Sequence, residues 1–195
     1  MKMNFILAAL ITLIALPASA SESLSTQVLL ARVQTLRLDL NGRDLVNWKV
    51  GDTANYQISA GMLGKLGTMV EMASSEESQA VWLTETMMLQ NQKDVSEMLI
   101  NRADAKILKY KHNGQDAQIP SDKPEIVSQD YTEITVPAGT FKCIHIVANT
   151  TQAKGIQIWA NPQATVLEGN LKMQVPTQFG LPMTIELTSF KHAAE

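Results

Sequence analysis

Hydrophobic and polar positions divide the chain into two regimes. From Ser23 to Leu40, Leu24, Val28, Leu29, Val33, Leu36 and Leu40 recur with a helical period. Ser23 or Ser25 can cap that helix, and Asn41-Gly42 can stop it. After Trp48 the period falls to two. Ala54, Tyr56 and Ile58 alternate with Asn55 and Gln57, and Thr68 to Ala73 follows a glycine-rich break. Val81, Leu83, Glu85, Met87 and Leu89 alternate with Trp82, Thr84, Thr86 and Met88. Val95 to Asn101 and Ile107 to His112 read as a hairpin, closed by Asn113-Gly114. Tyr131 to Val136 and Phe141 to Ala148 flank Pro137-Ala138-Gly139-Thr140, which has the chemistry of a tight turn. Gly155 to Ala160, Leu171 to Val175 and Met183 to Phe190 complete the set.

The pattern predicts a mainly β fold: a curved antiparallel sheet, or half-barrel, of roughly ten strands with one N-terminal helix. Short connections predict a sequential meander. A sheet that long curls or closes, and the helix is available to cover an open face or plug a barrel mouth.

The first twenty residues change the picture by setting a compartment. Lys2 is followed by an apolar run from Phe5 to Leu16, then Pro17 and Ala18-Ser19-Ala20. This is the pattern of a cleaved secretory signal. Residues 1–20 are therefore expected to be removed, leaving residues 21–195 as one domain in the periplasm or outside the cell. No later stretch is long and apolar enough to span a bilayer as a helix. Without Lys2 the chain carries 15 basic against 19 acidic residues, a net charge of −4. That weakly acidic balance excludes the basic stripe that nucleic acid requires, and it disfavours an anionic membrane.

The single cysteine, Cys143, has no partner within the chain and lies in an alternating apolar run, where it reads as a small buried hydrophobe. A Cys143–His145 dyad is disfavoured, because no base is evident to activate the thiol. His112, His145 and His192 have no metal-site spacing, and no nucleophile elbow or phosphate loop is present. Glu76 and Glu77 read as a solvated hairpin tip. Glu85 and Glu186 are assigned to solvent-facing strand positions. An enzyme, a metal and a cofactor are not expected.

Methionine is the informative residue. Eight of the ten lie after the signal: Met62, Met69, Met72, Met87, Met88, Met98, Met173 and Met183. Such side chains line adaptable apolar surfaces as well as filling core gaps. Met69, Met87, Met98, Met173 and Leu187 are the expected lining of a cavity for a lipid or an acylated protein.

The segment from Tyr131 to Cys143 resembles the strand–Val-Pro-Ala-Gly-Thr-Phe–strand hairpin of a class of exported bacterial proteins. Ile156 to Trp159, Gly169 to Met173 and Glu186-Leu187 follow in the same order, and Ile100-Asn101-Arg102 and Lys106 to Lys109 precede it. The resemblance covers Val95 to Phe190. It implies an architecture similar to that of the periplasmic lipoprotein carriers LolA and LolB, an incomplete antiparallel barrel with helix on its concave side. The readings that follow are a non-catalytic binding protein for an apolar ligand, or an envelope interaction module whose core is filled by its own side chains. N-terminal sequencing of the exported protein should read Ser-Glu-Ser-Leu from position 21; a chain that still begins at Met1 would show an uncleaved segment.

Overall fold

The computed structural model describes residues 46–119, 124–151, 153–177 and 181–194. The helix expected from Ser23 to Leu40 and the signal over residues 1–20 lie outside the described residues.

Eleven strands form one open antiparallel sheet. They are β1 (Thr53–Ala60), β2 (Lys65–Glu77), β3 (Ala80–Leu89), β4 (Gln92–Asn101), β5 (Ile107–His112), β6 (Gln115–Asp116), β7 (Glu125–Val136), β8 (Gly139–Asn149), β9 (Ile156–Ala160), β10 (Asn170–Val175) and β11 (Met183–Lys191). A short 3-10 turn at Gly61–Leu63 is the helical element among the described residues. The alternating segments thus become strands, β2 and β7 being longer than their patterns implied.

The order corrects the expected sequential meander: it runs β6-β5-β4-β3-β2-β1-β11-β10-β9-β8-β7. Two meanders, β1 to β6 and β7 to β11, join through a central pair of strands from the two ends of the described chain. In β1–β11, Tyr56 faces Leu187 and Ile58 faces Ile185. The register shifts beside Asn55, where Thr188 is the extra residue of a bulge and its hydroxyl donates to the Asn55 carbonyl at 3.0 Å. Asp52 clamps the same end. Its carboxylate accepts from the Ala193 N–H and the Lys49 N–H, each at 2.8 Å.

Turns follow their residues. Asn113 and Gly114 both have positive φ (50° and 79°), as a tight primed hairpin requires. Pro137 and Ala138 turn β7 into β8, and the Ala138 N–H donates to the Leu187 carbonyl at 3.1 Å. The sheet therefore coils far enough for this turn to reach β11, across β9 and β10. Phe141 of the hairpin meets Phe190 of β11, ring centroids 6.4 Å apart.

One face of β1 is buried and the other half-exposed in strict alternation, and the other central strands largely follow this pattern. The inner face builds a single large core containing Ile58, Leu83, Ile100, Ile146, Ile158 and Leu171. Along β8 the buried side changes from Cys143 to Ile146 and Ala148, so the strand turns over as the sheet coils. At the base, the Arg102 guanidinium donates to the carbonyls of Val46 and Trp48, both at 2.8 Å, and pins the incoming chain to the end of β4.

Gly169 closes the loop between β9 and β10. Its φ is +71°, and a Cβ there would lie 2.2 Å from the Pro162 nitrogen and 2.4 Å from the Asn161 carbonyl carbon. Gly169→Ala should lower stability by about 3 kcal/mol, because backbone strain and a backbone clash add. Urea unfolding checks this; a loss below about 0.5 kcal/mol would show that the loop is free to relax.

Candidate ligand-binding face

All five residues expected to line a cavity lie on the inner face and in the one core, each only 1–2% exposed. Cross-strand register arranges them in rows. Met87, Met69, Tyr56 and Leu187 form one row across β3, β2, β1 and β11. Met173 lies in the next row, between Ile185 and Ile158. Met98 stands apart, between Leu83 and Tyr110. The structure thus brings Met69 and Met87 into direct cross-strand contact positions, with Leu187 in line, and separates Met98 and Met173 from them. The remaining methionines divide: Met183 is buried, while Met62, Met72 and Met88 are exposed.

A polar row crosses this apolar face. His112, Ser96, Glu85 and Glu71 occupy successive inner positions of β5, β4, β3 and β2. Glu71 is 0% exposed and Glu85 2%. This corrects the solvent-facing assignment of Glu85, whose alternation with Leu83 and Met87 had already placed it on the apolar side. The Tyr56 hydroxyl donates to Glu71 Oε2 at 3.3 Å, and the Ser96 and Tyr110 hydroxyls lie 3.3 Å apart. His112 Nε2 sits 3.2 Å from Asp94 Oδ1, beside Met87. Buried charge of this kind needs partners to offset its desolvation. Among the described residues, no group of three or more His, Cys, Asp or Glu gathers to hold a metal ion.

The inner face ends at β7, which the 2-residue β6 balances at the far edge. β7 is exposed on both sides from Glu125 to Glu133. By register with Ala148 and Ile144, Ile126 and Tyr131 extend the inner side to this edge, and they are 36% and 82% exposed. Nothing in the alternation of β7 distinguished it from a covered strand.

The outer face carries its own ladder. Asp130, His145, Trp159, Lys172 and Glu186 are successive partners across β7 to β11. His145 lies 3.1 Å from Asp130 and stacks on Trp159 at 4.5 Å; Lys172 lies over Trp159 and pairs with Glu186 at 3.0 Å. Glu186 is accordingly on the outer face, as expected. Glu76 and Glu77 are exposed near the end of β2, as expected, and are further tied by ion pairs with Arg102 and Lys109. The Trp82 indole N–H and the Lys109 ammonium hold the Glu77 carboxyl below the usual carboxylate range.

Cys143 is buried and free, facing the core, while His145 is engaged on the outer side. Burial, with a smaller contribution from the Asp130 carboxylate, pushes its thiol pKa up.

No family model and no curated protein matches the chain. Among solved structures, it is similar to a protein designated as exported, with a YmcC-like fold, from Bacteroides fragilis. That match has TM-score 0.44 and 11% identity over 75% of this chain and 98% of the other. A protein designated a lipoprotein from Parabacteroides distasonis gives TM-score 0.39 and 10% identity over 78% and 100% of the two chains. A hypothetical protein of Chlamydia trachomatis gives 0.43 and 17% over 76% and 90%. None of these three carries the name of a LolA- or LolB-type carrier.

The state of Cys143 is directly measurable. Iodoacetamide at pH 8 should alkylate it at least about 100-fold more slowly in the native protein than in urea, since the thiol is neutral and shielded. Equal rates would place the thiol in an open, reactive setting.

Proposed function

We propose that the chain is an exported, non-catalytic binding protein of the periplasm whose inner sheet face takes an apolar ligand, a lipid or an acylated protein. The observation that carries this reading is the continuity of the inner face. From the sheet centre, Ile185, Met173, Ile158 and Ile146 form one inner row toward β7, and the flanking rows, through Ala148 and Ile144, end at an uncovered edge on Ile126 and Tyr131. An acyl chain entering along that edge would exchange water for Met, Leu and Ile side chains, worth about 0.8 kcal/mol per methylene. Methionine suits such exchange because its unbranched side chain adapts to a ligand and closes up without one. In this reading the sheet is the half-barrel of a carrier resembling LolA and LolB, and the amphipathic stretch from Ser23 to Leu40 is a helix over its concave side.

A second reading, an envelope interaction module with a filled core, is favoured by the near-complete burial of Met69, Met87, Met98, Met173 and Leu187. The two differ in what the inner face must release. A carrier exchanges its own covering for ligand, whereas a module keeps the core closed and works through its exposed surface.

Native mass spectrometry of the mature protein, purified gently and then extracted, separates them. Lipid at near-stoichiometric amounts, with uptake reduced several-fold by Tyr131→Asp, is the expected outcome. That variant should fold normally, because an exposed surface substitution costs within about 0.5 kcal/mol. A clean apo mass with no uptake of added phospholipid would overturn the ligand reading in favour of the module.

A further inference from the structure

Charge is unevenly distributed between the two ends of the strands. The turns β2–β3 and β4–β5 share one end, where Arg102 pairs with Glu76, Lys106 with Asp104 and Lys109 with Glu77. Cation and carboxylate answer each other there. The turns β1–β2, β3–β4, β8–β9 and β10–β11 share the opposite end. The described residues that build it, 60–70, 87–93, 153–155, 174–177 and 181–184, include Lys65, Lys93 and Lys154 and no Asp or Glu. All three lysines are exposed, and none forms an ion pair with a described residue. Acidic side chains return at the margins of this end, Asp116 in β6 and Glu125 in β7. The weakly acidic total, which disfavours an anionic membrane, thus conceals a cationic rim.

An apolar tip stands near the middle of that rim. The 3-10 turn Gly61–Leu63 joins β1 to β2 and buries none of its residues. Met62 is 95% exposed and Leu63 68%. The turn is held by its own backbone. The Ala60 N–H donates to the Gly64 carbonyl at 3.1 Å, and the Gly64 N–H donates to the Gly61 carbonyl at 3.4 Å. Gly61 and Gly64 have φ of +42° and +69°, which glycine adopts without strain. The two large side chains therefore contribute nothing to the core or to the turn. Two adjacent apolar side chains on a projecting tip are unfavourable in water, and burial against another surface removes that cost.

We infer that this end of the sheet docks on an anionic lipid bilayer. Met62 and Leu63 enter the boundary between headgroups and acyl chains, while Lys65, Lys93 and Lys154 lie over the headgroup phosphates. Charge complementarity selects this occupant, because a second copy would set lysine rim against lysine rim. Lys65 follows the tip by two residues. Lys93 opens β4, two strands from β2 and so about 10 Å along the rim. Each lysine brought to an anionic surface raises affinity about fivefold, an attraction that salt screens over about 8 Å. Three lysines and two inserted side chains give reversible docking rather than permanent anchoring. The inner face takes no part in this contact, so the inference stands or falls separately from the ligand reading.

Sedimentation of the mature protein with vesicles tests it, using phosphatidylcholine alone and phosphatidylcholine mixed equally with phosphatidylglycerol. The protein should bind the mixed vesicles at low salt, and binding should weaken as salt is raised. Met62→Ser/Leu63→Ser should lower the partition about tenfold or more. Lys65→Gln/Lys93→Gln/Lys154→Gln should lower it about 100-fold on the mixed vesicles. Both variants should keep the parent's urea midpoint, since every altered side chain is exposed. Tyr131→Asp, which alters the ligand edge, should bind vesicles as the parent does. No binding to mixed vesicles at low salt would overturn the docking, as would undiminished binding by Met62→Ser/Leu63→Ser. Loss of binding in Tyr131→Asp would move the contact to the β7 edge and overturn it equally.

Discussion

The fold depends on one non-local pairing, that of β1 with β11. These strands are separated by most of the described chain, yet they lie side by side at the centre of the sheet. Without that pair there are two meanders, each with an exposed central edge. With it, the inner face continues from one meander into the other. The entropy of closing so long a loop is recovered only when the pairing is complete. The devices at its end are consistent with this demand. Thr188 bulges and bonds to Asn55, Asp52 reaches Ala193, and the Ala138 turn presses on Leu187. Three separate segments thus converge on the same seam.

Within this frame the inner face combines opposed physical requirements. Its apolar rows favour burial at any cost to specificity, since hydrophobic contact is non-directional. The row from His112 to Glu71 is directional and expensive to bury unless each member is answered. The outer face works differently. The ladder from Asp130 to Glu186 is half-buried, alternates ion pairs with aromatic contacts, and ties β7 through β11 together while leaving the surface hydrated.

Local structure was legible wherever alternation was clean. β1, β3, β8 and the Pro137-Ala138 turn stand where their residues predict, since a half-covered strand writes its period directly into the sequence. Strand order was not legible, because alternation records which side of a strand is covered and says nothing about which strand lies beside it. The rule that neighbours in sequence are neighbours in space failed at β1–β11, the seam itself. Glu85 was misplaced for a different reason. Its position among Val81, Leu83 and Met87 did mark the inner side, but a carboxylate there was taken for an interruption of the pattern, when its burial beside Glu71 makes it part of the core. Met69, Met87 and Leu187 shared a row that depends on three registers, and no one strand contains that information. The exposure of β7 likewise depends on what lies beyond it.

The placement of the seam carries a topological consequence. Ala193 lies against Gly51, its Cβ about 3.4 Å from where a Gly51 Cβ would be, so the start of β1 and the end of β11 are neighbours. Read from β7 through β11 and on to β1 and β6, the eleven strands are a single uninterrupted up-and-down ribbon in spatial order. The chain order of the described strands is therefore a circular permutation of an up-and-down sheet. The join between β11 and β1 sits in the middle of the ribbon, and the connection between β6 and β7 links its two margins. Opening that connection and linking residue 193 to residue 51 would turn the most non-local contact in the fold into a local hairpin, and would detach the core side chains Val46 and Trp48.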